Sequence, residues 1–365
     1  MLIRSVAYIT LLPTVGNRSI SDNILVQRVL QRLASRLPTG WRVGGGASRA
    51  RRGSADAALK ISGPAKNTGS LLIKAKTRLE PRDVDYLSAT VRPAADRPVL
   101  IIAPILSPRT QERLRAGGFG YADLTGNVCL SLPQAGLFIE TTGAAENPEP
   151  TARDRKSLRG AKAGRLSRAL ADFRPPVGLR ELAKRAGVDP GYTSRVVDLL
   201  NREALVVRTA RGPITSADWP ALLRRWSQEY SPFQRKGVTW YLAPRGLAPV
   251  TEMLKTASAQ YAVSGSWAAT QFAPVAPARL LLCYADDPAA VARELELRPT
   301  DAGANIALVT PFDPVVYERT SQKKGVTVAG LSQIAVDLLT SPGRGPNEGE
   351  ALIEWMRANE HVWRT

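Results

Sequence analysis

Histidine is nearly missing from this chain of 365 residues: the only one is His361, close to the end of the sequence. One imidazole, in a tail that reads as solvated, leaves no histidine-rich metal site and makes a Ser-His-Asp arrangement improbable. Cysteine is almost as scarce. Cys129 and Cys283 lie far apart, each in an apolar run, so neither a disulfide framework nor a paired-cysteine metal knuckle is available, and a reducing cytoplasm is the expected compartment. Long apolar runs are also lacking. Nowhere do about eighteen such residues follow one another, which excludes a conventional helical membrane span. The opening Met1-Leu-Ile-Arg-Ser-Val-Ala-Tyr-Ile-Thr-Leu-Leu-Pro13 is short, is broken by Thr10 and Pro13 and has no convincing cleavage site, so it reads as an ordinary or over-extended N-terminus rather than a secretory leader.

Basic charge is plentiful. Fifty Lys and Arg face 32 Asp and Glu, a net charge of +18, and such an excess attracts polyanions. At this length two or three domains are expected, and the hydrophobic fraction of 44% is ample for their cores.

The most informative stretch runs from Gly178 to Arg211. Leu179, Leu182, Ala183 and Ala186 recur at three- and four-residue steps and form one apolar helical face. Gly187 ends that helix, Val188 plugs the corner, and Asp189 before Pro190 is an N-cap followed by proline in the first helical position. In the second helix Thr193, Val196, Val197 and Leu200 point inward, leaving Gly191, Tyr192, Ser194, Arg195 and Asp198 outward. Leu205-Val-Val and the following Arg208 to Arg211 read as a strand turning into a basic wing. The pattern is that of a winged helix-turn-helix whose partner is double-stranded DNA, a reading helped by seven basic against four acidic residues in the stretch. Plain helical hairpins and protein-docking modules share the same spacing.

On the DNA reading, Tyr192, Ser194 and Arg195 meet base edges, with Gly191 and Thr193 at the same helix start, and Arg195 is suited to a bidentate guanine contact. Arg180, Lys184, Arg185, Arg208 and Arg211 hold phosphates. Upstream, Arg153, Arg155, Lys156, Arg159, Lys162, Arg165 and Arg168 form a basic run diluted only by Asp154, which reads either as a phosphate-tracking arm or as a solvated linker.

The flanking segments alternate helix and strand signals. Residues 20–145 form an α/β domain: Ile24, Leu25, Val29, Leu30, Leu33 and Leu37 make a helical stripe, 55–61 and 70–76 look like paired strands, Val99-Leu-Ile-Ile-Ala is doubly buried, and 108–116 is helical. Asp56 followed by Ile73-Lys74-Ala75-Lys76 has the layout of a restriction-nuclease core, but Lys74 stands where an acid should hold magnesium, so the scaffold is expected without the chemistry. In the loop Gly120-Tyr-Ala-Asp-Leu-Thr-Gly-Asn127, Asp123 and Asn127 can cap backbone groups and Gly126 can take a positive φ. Arg49, Arg51 and Arg52, beside Gly44-Gly-Gly, make either a phosphate-binding or a merely solvated loop. Residues 146–164 are a basic linker, 165–228 the winged domain, and 229–365 a third, α/β domain. There Val263-Ser-Gly265-Ser266 resembles the Gly-Ser turn of nucleotidyltransferases, yet the following strand has no carboxylate before Asp286 and Asp287, so an inactive relative is expected.

Taken together, Gly120–Asn127 with Leu137-Phe-Ile-Glu140, Ser157-Leu-Arg-Gly-Ala-Lys-Ala-Gly-Arg165 and the tail Leu338 to Ala351 resemble the AbiEi family of antitoxin-type transcriptional regulators, in a long form with an N-terminal nuclease-like domain. The resemblance covers most of residues 55 to 355. It implies an autorepressor that binds repeated DNA sites and pairs with a nucleotidyltransferase toxin. The expectation is therefore a cytoplasmic, nucleoid-associated regulator without cofactor, metal or catalytic residues, dimeric if each winged helix reads one half-site. The rival reading is a DNA-processing nuclease centred on Asp56, Lys74 and Lys76; a third is a protein-interaction module.

Overall fold

Strand-like apolar runs and helical stripes occur in both halves of the chain and give a mixed α/β protein of more than one unit. The computed structural model describes residues 20–44, 56–64, 67–94, 96–144, 157–209, 212–233, 237–300 and 302–365. The chain divides into two compact units, 1–156 and 157–365.

In the first unit, α1 (Ile20–Arg36) buries Leu25, Val26, Val29, Leu30 and Leu33. The stripe differs from the expected one at its two ends: Ile24 is exposed and Val26 buried, because a line of contact stepping by four residues passes through 25/26, 29/30 and 33, and Leu37 follows the end of the helix and is half-buried. The strands β1 (Arg42–Gly44), β2 (Ala57–Ser62) and β3 (Thr68–Ala75) pair antiparallel, with Ala57 opposite Ile73. Next come α2 (Asp83–Thr90), β4 (Val99–Ala103), α3 (Pro108–Ala116) and β5 (Gly120–Asp123), with β3, β4 and β5 parallel because each helix returns the chain to the same end of the sheet. Finally β6 (Val128–Leu132) and β7 (Leu137–Thr141) close the seven-stranded sheet in simple sequence order. One face, with Leu59, Ile73 and Ile102, packs on α1; the other, with Val99, Ile101 and Ala103, packs on α2 and α3.

The loop after β5 is organised by Asp123, which is buried. Its Oδ1 accepts from the Thr125, Gly126 and Asn127 amides and the Thr125 hydroxyl at 2.8–3.0 Å, and its Oδ2 accepts from Leu106 N and Asn127 Nδ2. Gly126 has φ +103°, and Arg36 of α1 donates to its carbonyl at 2.7 Å. Six donors on one carboxylate make this loop a structural corner.

The second unit starts with α4 (Ala161–Asp172), four residues before the expected start, since Gly160 at φ +88° turns the chain and Leu158 is already fully buried. Then come α5 (Leu179–Arg185), α6 (Pro190–Arg202), the hairpin β8 (Val206–Arg208) and β9 (Ile214–Ala217), and α7 (Trp219–Ser227). A second seven-stranded sheet follows, with β10 (Val238–Leu242), α8 (Leu247–Leu254), β11 (Tyr261–Ser264), α9 (Gly265–Ala269), β12 (Leu281–Ala285), α10 (Pro288–Glu294), β13 (Arg298–Pro299), β14 (Ile306–Val309), β15 (Ser321–Lys323) and β16 (Val326–Val328). Its order is β13-β10-β14-β12-β11-β16-β15, parallel between β12 and β14 and between β11 and β16. The helices α11 (Leu331–Leu339), α12 (Gly345–Ala358) and α13 (Glu360–Trp363) end the chain.

The sequence suggested a domain boundary at 228/229, but one apolar core runs from Leu158 through Leu200, Trp226 and Val263 to Trp363. The bridge is α7: its whole stripe, Trp219, Leu222, Leu223 and Trp226, is buried, and it packs on both α4 and α11. Gly164 of α4 permits that approach. A Cβ there would meet Phe312 Cε2 at 2.8 Å and Trp226 Cζ2 at 3.1 Å, so Gly164→Val is expected to destabilise the unit by about 1–3 kcal/mol through overpacking, measured as a lower midpoint in urea unfolding.

No helix among the described residues is long and apolar enough to cross a membrane.

Candidate nucleic-acid interface

The start of α6 is set by local chemistry. The Asp189 carboxylate accepts from Tyr192 N at 2.8 Å, Pro190 occupies the first turn, and Gly187 at φ +59° makes the preceding corner, which Val188 fills. Leu182, Ala183 and Ala186 bury the inner side of the first helix and its end, and Val196, Val197 and Leu200 do the same for α6. Val177 N and Ile214 O join the entry to α5 to the hairpin at 3.1 Å.

The residues assigned to base edges divide accordingly. Gly191 and Arg195 are exposed; Tyr192 and Ser194 are half-buried. Thr193 lies on the inward face, as its spacing gives, and so is not placed to contact DNA: it is fully buried, and its Oγ1 donates to the Asp189 carbonyl at 2.9 Å, which locks the first turn of α6.

Folding adds a neighbour that is distant in sequence. Lys162 of α4 places its Nζ 3.5 Å from the Asp189 carboxylate and 5.9 Å from the centre of the Tyr192 ring, while the Arg195 guanidinium stands 5.7 Å from the same ring. The tyrosine is thus bracketed by two cations, one from each helix. The Tyr192 amide, together with the Lys162 and Arg195 charges, holds the Asp189 carboxyl below the ordinary carboxylate range, and partial burial pushes the Tyr192 phenol up. No linear motif signals this cluster, because Lys162 and Tyr192 are joined only by the packing of α4 against α5 and α6.

The other basic residues separate into free and committed groups. Arg180 and Lys184 are exposed and have no ion-pair partner among the described residues. Arg185 pairs with Glu181, and its guanidinium lies 4.7 Å from the Phe173 ring centre. Arg208 is turned inward, 3.5 Å from Asp198 and donating to Gly212 O at 3.1 Å, so it ties the hairpin to α6. Of the upstream run, Arg159 is exposed 3.8 Å from Glu229, and Arg165 donates to Asp313 at 2.8 Å. Arg168 is no part of a solvated arm: it is buried, donating to Val315 O and Glu318 O and lying 3.4 Å from Asp172. Arg153, Arg155, Lys156 and Arg211, like Arg49, Arg51 and Arg52, lie outside the described residues.

The two other places singled out for chemistry have their acids engaged. Asp56 Oδ2 accepts from Ala75 N at 2.9 Å. Asp286 accepts from the Tyr317 hydroxyl at 3.0 Å, and Asp287 caps α10 through Ala290 N at 2.9 Å. In the Gly-Ser turn, Gly265 has φ +68° and Ser266 Oγ donates to the buried carboxylate of Glu348. Among the described residues no group of three or more His, Cys, Asp or Glu side chains is placed to hold a metal ion.

Comparison with protein-family models, with curated proteins and with solved structures returns no match for this chain.

Proposed function

We propose that the chain is a sequence-selective double-stranded DNA-binding transcriptional regulator, with α5, α6 and the β8–β9 hairpin acting as a winged helix-turn-helix. The observation that carries this reading is the start of α6, where the Tyr192 ring has the Lys162 ammonium at 5.9 Å and the exposed Arg195 guanidinium at 5.7 Å, with the nearby acids committed, Asp189 to the helix cap and Asp198 to Arg208. Arg195 supplies a fork for guanine, and Lys162, Arg180 and Lys184 supply phosphate contacts on the flanks. Arg208 and Arg165, held by Asp198 and Asp313, act by positioning the hairpin and α4.

The wider reading is of an antitoxin-type autorepressor of the AbiEi kind, cytoplasmic and associated with the nucleoid. The order β1 to β7, with parallel β3–β4–β5 and helical crossovers, supports a nuclease-like N-terminal scaffold, and the β11–Gly265–α9 turn supports a nucleotidyltransferase-like scaffold in 229–365. The acids engaged at Asp56, Asp286 and Asp287 support a binding role over cleavage or nucleotidyl transfer. Reading repeated sites calls for two copies of the chain on DNA, and a nucleotidyltransferase toxin is the partner that the family resemblance points to.

The test is binding to the DNA upstream of the protein's own gene and to a scrambled duplex, by fluorescence anisotropy at two salt concentrations. A preference of about a thousandfold or more for the upstream duplex supports the proposal, and equal, steeply salt-dependent binding overturns sequence selectivity. Lys184→Ala and Lys162→Ala are expected to weaken both duplexes alike, each lowering the slope of log K against log salt by about 0.9.

A further inference from the structure

The first unit carries a pair of cations that the α6 interface does not use. On β3, Leu72 packs against the core under α2 and α3, and strand alternation puts Lys74 and Lys76 on that same side. Lys76 N donates to Ile102 O at 2.8 Å, so the ladder with β4 extends through Lys76 and holds both side chains in direction. Both lysines are half-buried, and neither has an ion-pair partner among the described residues. The carboxylate in this corner, Asp56, accepts from the backbone at Ala75.

Two ammonium groups two residues apart on a strand have backbone origins about 6.6 Å apart. Two ammonium groups on neighbouring same-side positions repel each other, and burial together with Lys76 pulls the Lys74 ammonium below the usual lysine range. Their place matters too. They lie at the carboxyl end of β3, in the parallel part of the sheet, where open α/β sheets present their ligand crevice. An anion bridging the pair would relieve the repulsion, and a phosphate group, with several oxygens for point-charge ammonium donors, suits that geometry.

We propose that Lys74 and Lys76 form a phosphate seat at the carboxyl end of β3, giving the N-terminal unit its own contact to phosphodiester groups, separate from α6. Phosphate chemistry has two sources, the nucleic-acid backbone and free phosphate, and the experiment distinguishes them. The full-length chain is treated with a limiting amine-acetylating reagent, and modification of Lys74 and Lys76 is mapped by mass spectrometry relative to exposed Lys60 on β2. The arms are no addition, random-sequence duplex DNA, and inorganic phosphate. Each is run on the wild-type chain and on Arg195→Ala, so that failure of the α6 reading leaves this result interpretable.

The expected outcome is slower acetylation of both lysines relative to Lys60 with duplex DNA, in both proteins. Protection by DNA but not inorganic phosphate assigns the seat to the nucleic-acid backbone; protection by both assigns it to phosphate as such. Lys74→Gln/Lys76→Gln is then expected to lower the salt slope of random-duplex binding by about 1.8, two phosphates at about 0.9 each. Absence of protection in every arm, or DNA-induced protection no greater than at Lys60, overturns the proposal.

Discussion

Asp337→Ala is expected to cost the second unit on the order of 4 kcal/mol, seen as a large fall in the urea midpoint with the slope unchanged. Asp337, on α11, is fully buried and accepts four hydrogen bonds: from the Tyr230 hydroxyl at 3.0 Å, the Tyr284 hydroxyl at 2.9 Å, Gln333 Nε2 at 2.9 Å and Ser264 Oγ at 2.6 Å. The donors come from the segment after α7, from β12, from α11 and from β11, so one carboxylate joins the bridging helix to the sheet. Truncation leaves these donors without their shared acceptor in a place that water does not reach.

The same residue gives the unit a pH signature. Burial pushes the Asp337 carboxyl up from 3.8 to about 6, against the hydrogen bonds that favour its charged form. Between those two values the folded chain binds more protons than the unfolded one, so this residue's contribution is fully present below about pH 4 and is lost as pH rises through about 6. Asp337→Asn does not titrate there. Relative to that variant, the wild-type chain is expected to lose about 2 kcal/mol between pH 4 and pH 7, and a pH-independent difference between the two would count against a raised carboxyl.

Arg195→Ala is expected to weaken binding to the specific duplex by about 1–3 kcal/mol while leaving random-duplex affinity nearly unchanged. The guanidinium is exposed on α6, 5.7 Å from the Tyr192 ring centre, and has no ion-pair partner among the described residues, so its removal is expected to leave the fold intact. Arg185 and Arg208 look equivalent in the sequence yet are engaged with Glu181 and with Asp198, and their alanine variants should act first on stability and hairpin position. Equal losses on specific and random DNA for Arg195→Ala would falsify its assignment to base reading.

Much of this was legible along the chain because the signals are local. The cap at Asp189, the proline after it, the glycine corner at Gly187 and the inward set Val196, Val197 and Leu200 are each written within a helical turn or two, and the elements begin and end accordingly. The helix Pro108–Ala116 and the pairing of β2 with β3 followed from the same short-range logic. Short strands with few side chains to alternate were not legible: β1 has three residues and β13 two.

Charge count along the chain was a poor guide to which cations are available. Arg159, Lys162, Arg165 and Arg168 read as one basic run, yet a helix turns successive residues by about 100°, so Lys162 reaches the start of α6, Arg165 meets Asp313, and Arg168 enters the core beside Asp172. Asp172 is one turn from Arg168 on the same helix, but the other carboxylates come from distant parts of the chain, and nothing within a few residues of Arg165 tells whether one will arrive from 148 positions away.

Residue order alone therefore dictated the α5 and α6 helices, the cap at Asp189, the β2–β3 hairpin and the excess of positive charge, which depend on composition or on neighbours within a turn or a hairpin. Packing at long range chose the rest: the single core that carries α7 across the supposed boundary, the convergence of Tyr230, Ser264 and Tyr284 on Asp337, and the approach of Lys162 to Tyr192 and Asp189. The reason is physical. A hydrogen bond or ion pair between distant residues gains its strength from the burial that brings them together, and burial belongs to the folded chain as a whole.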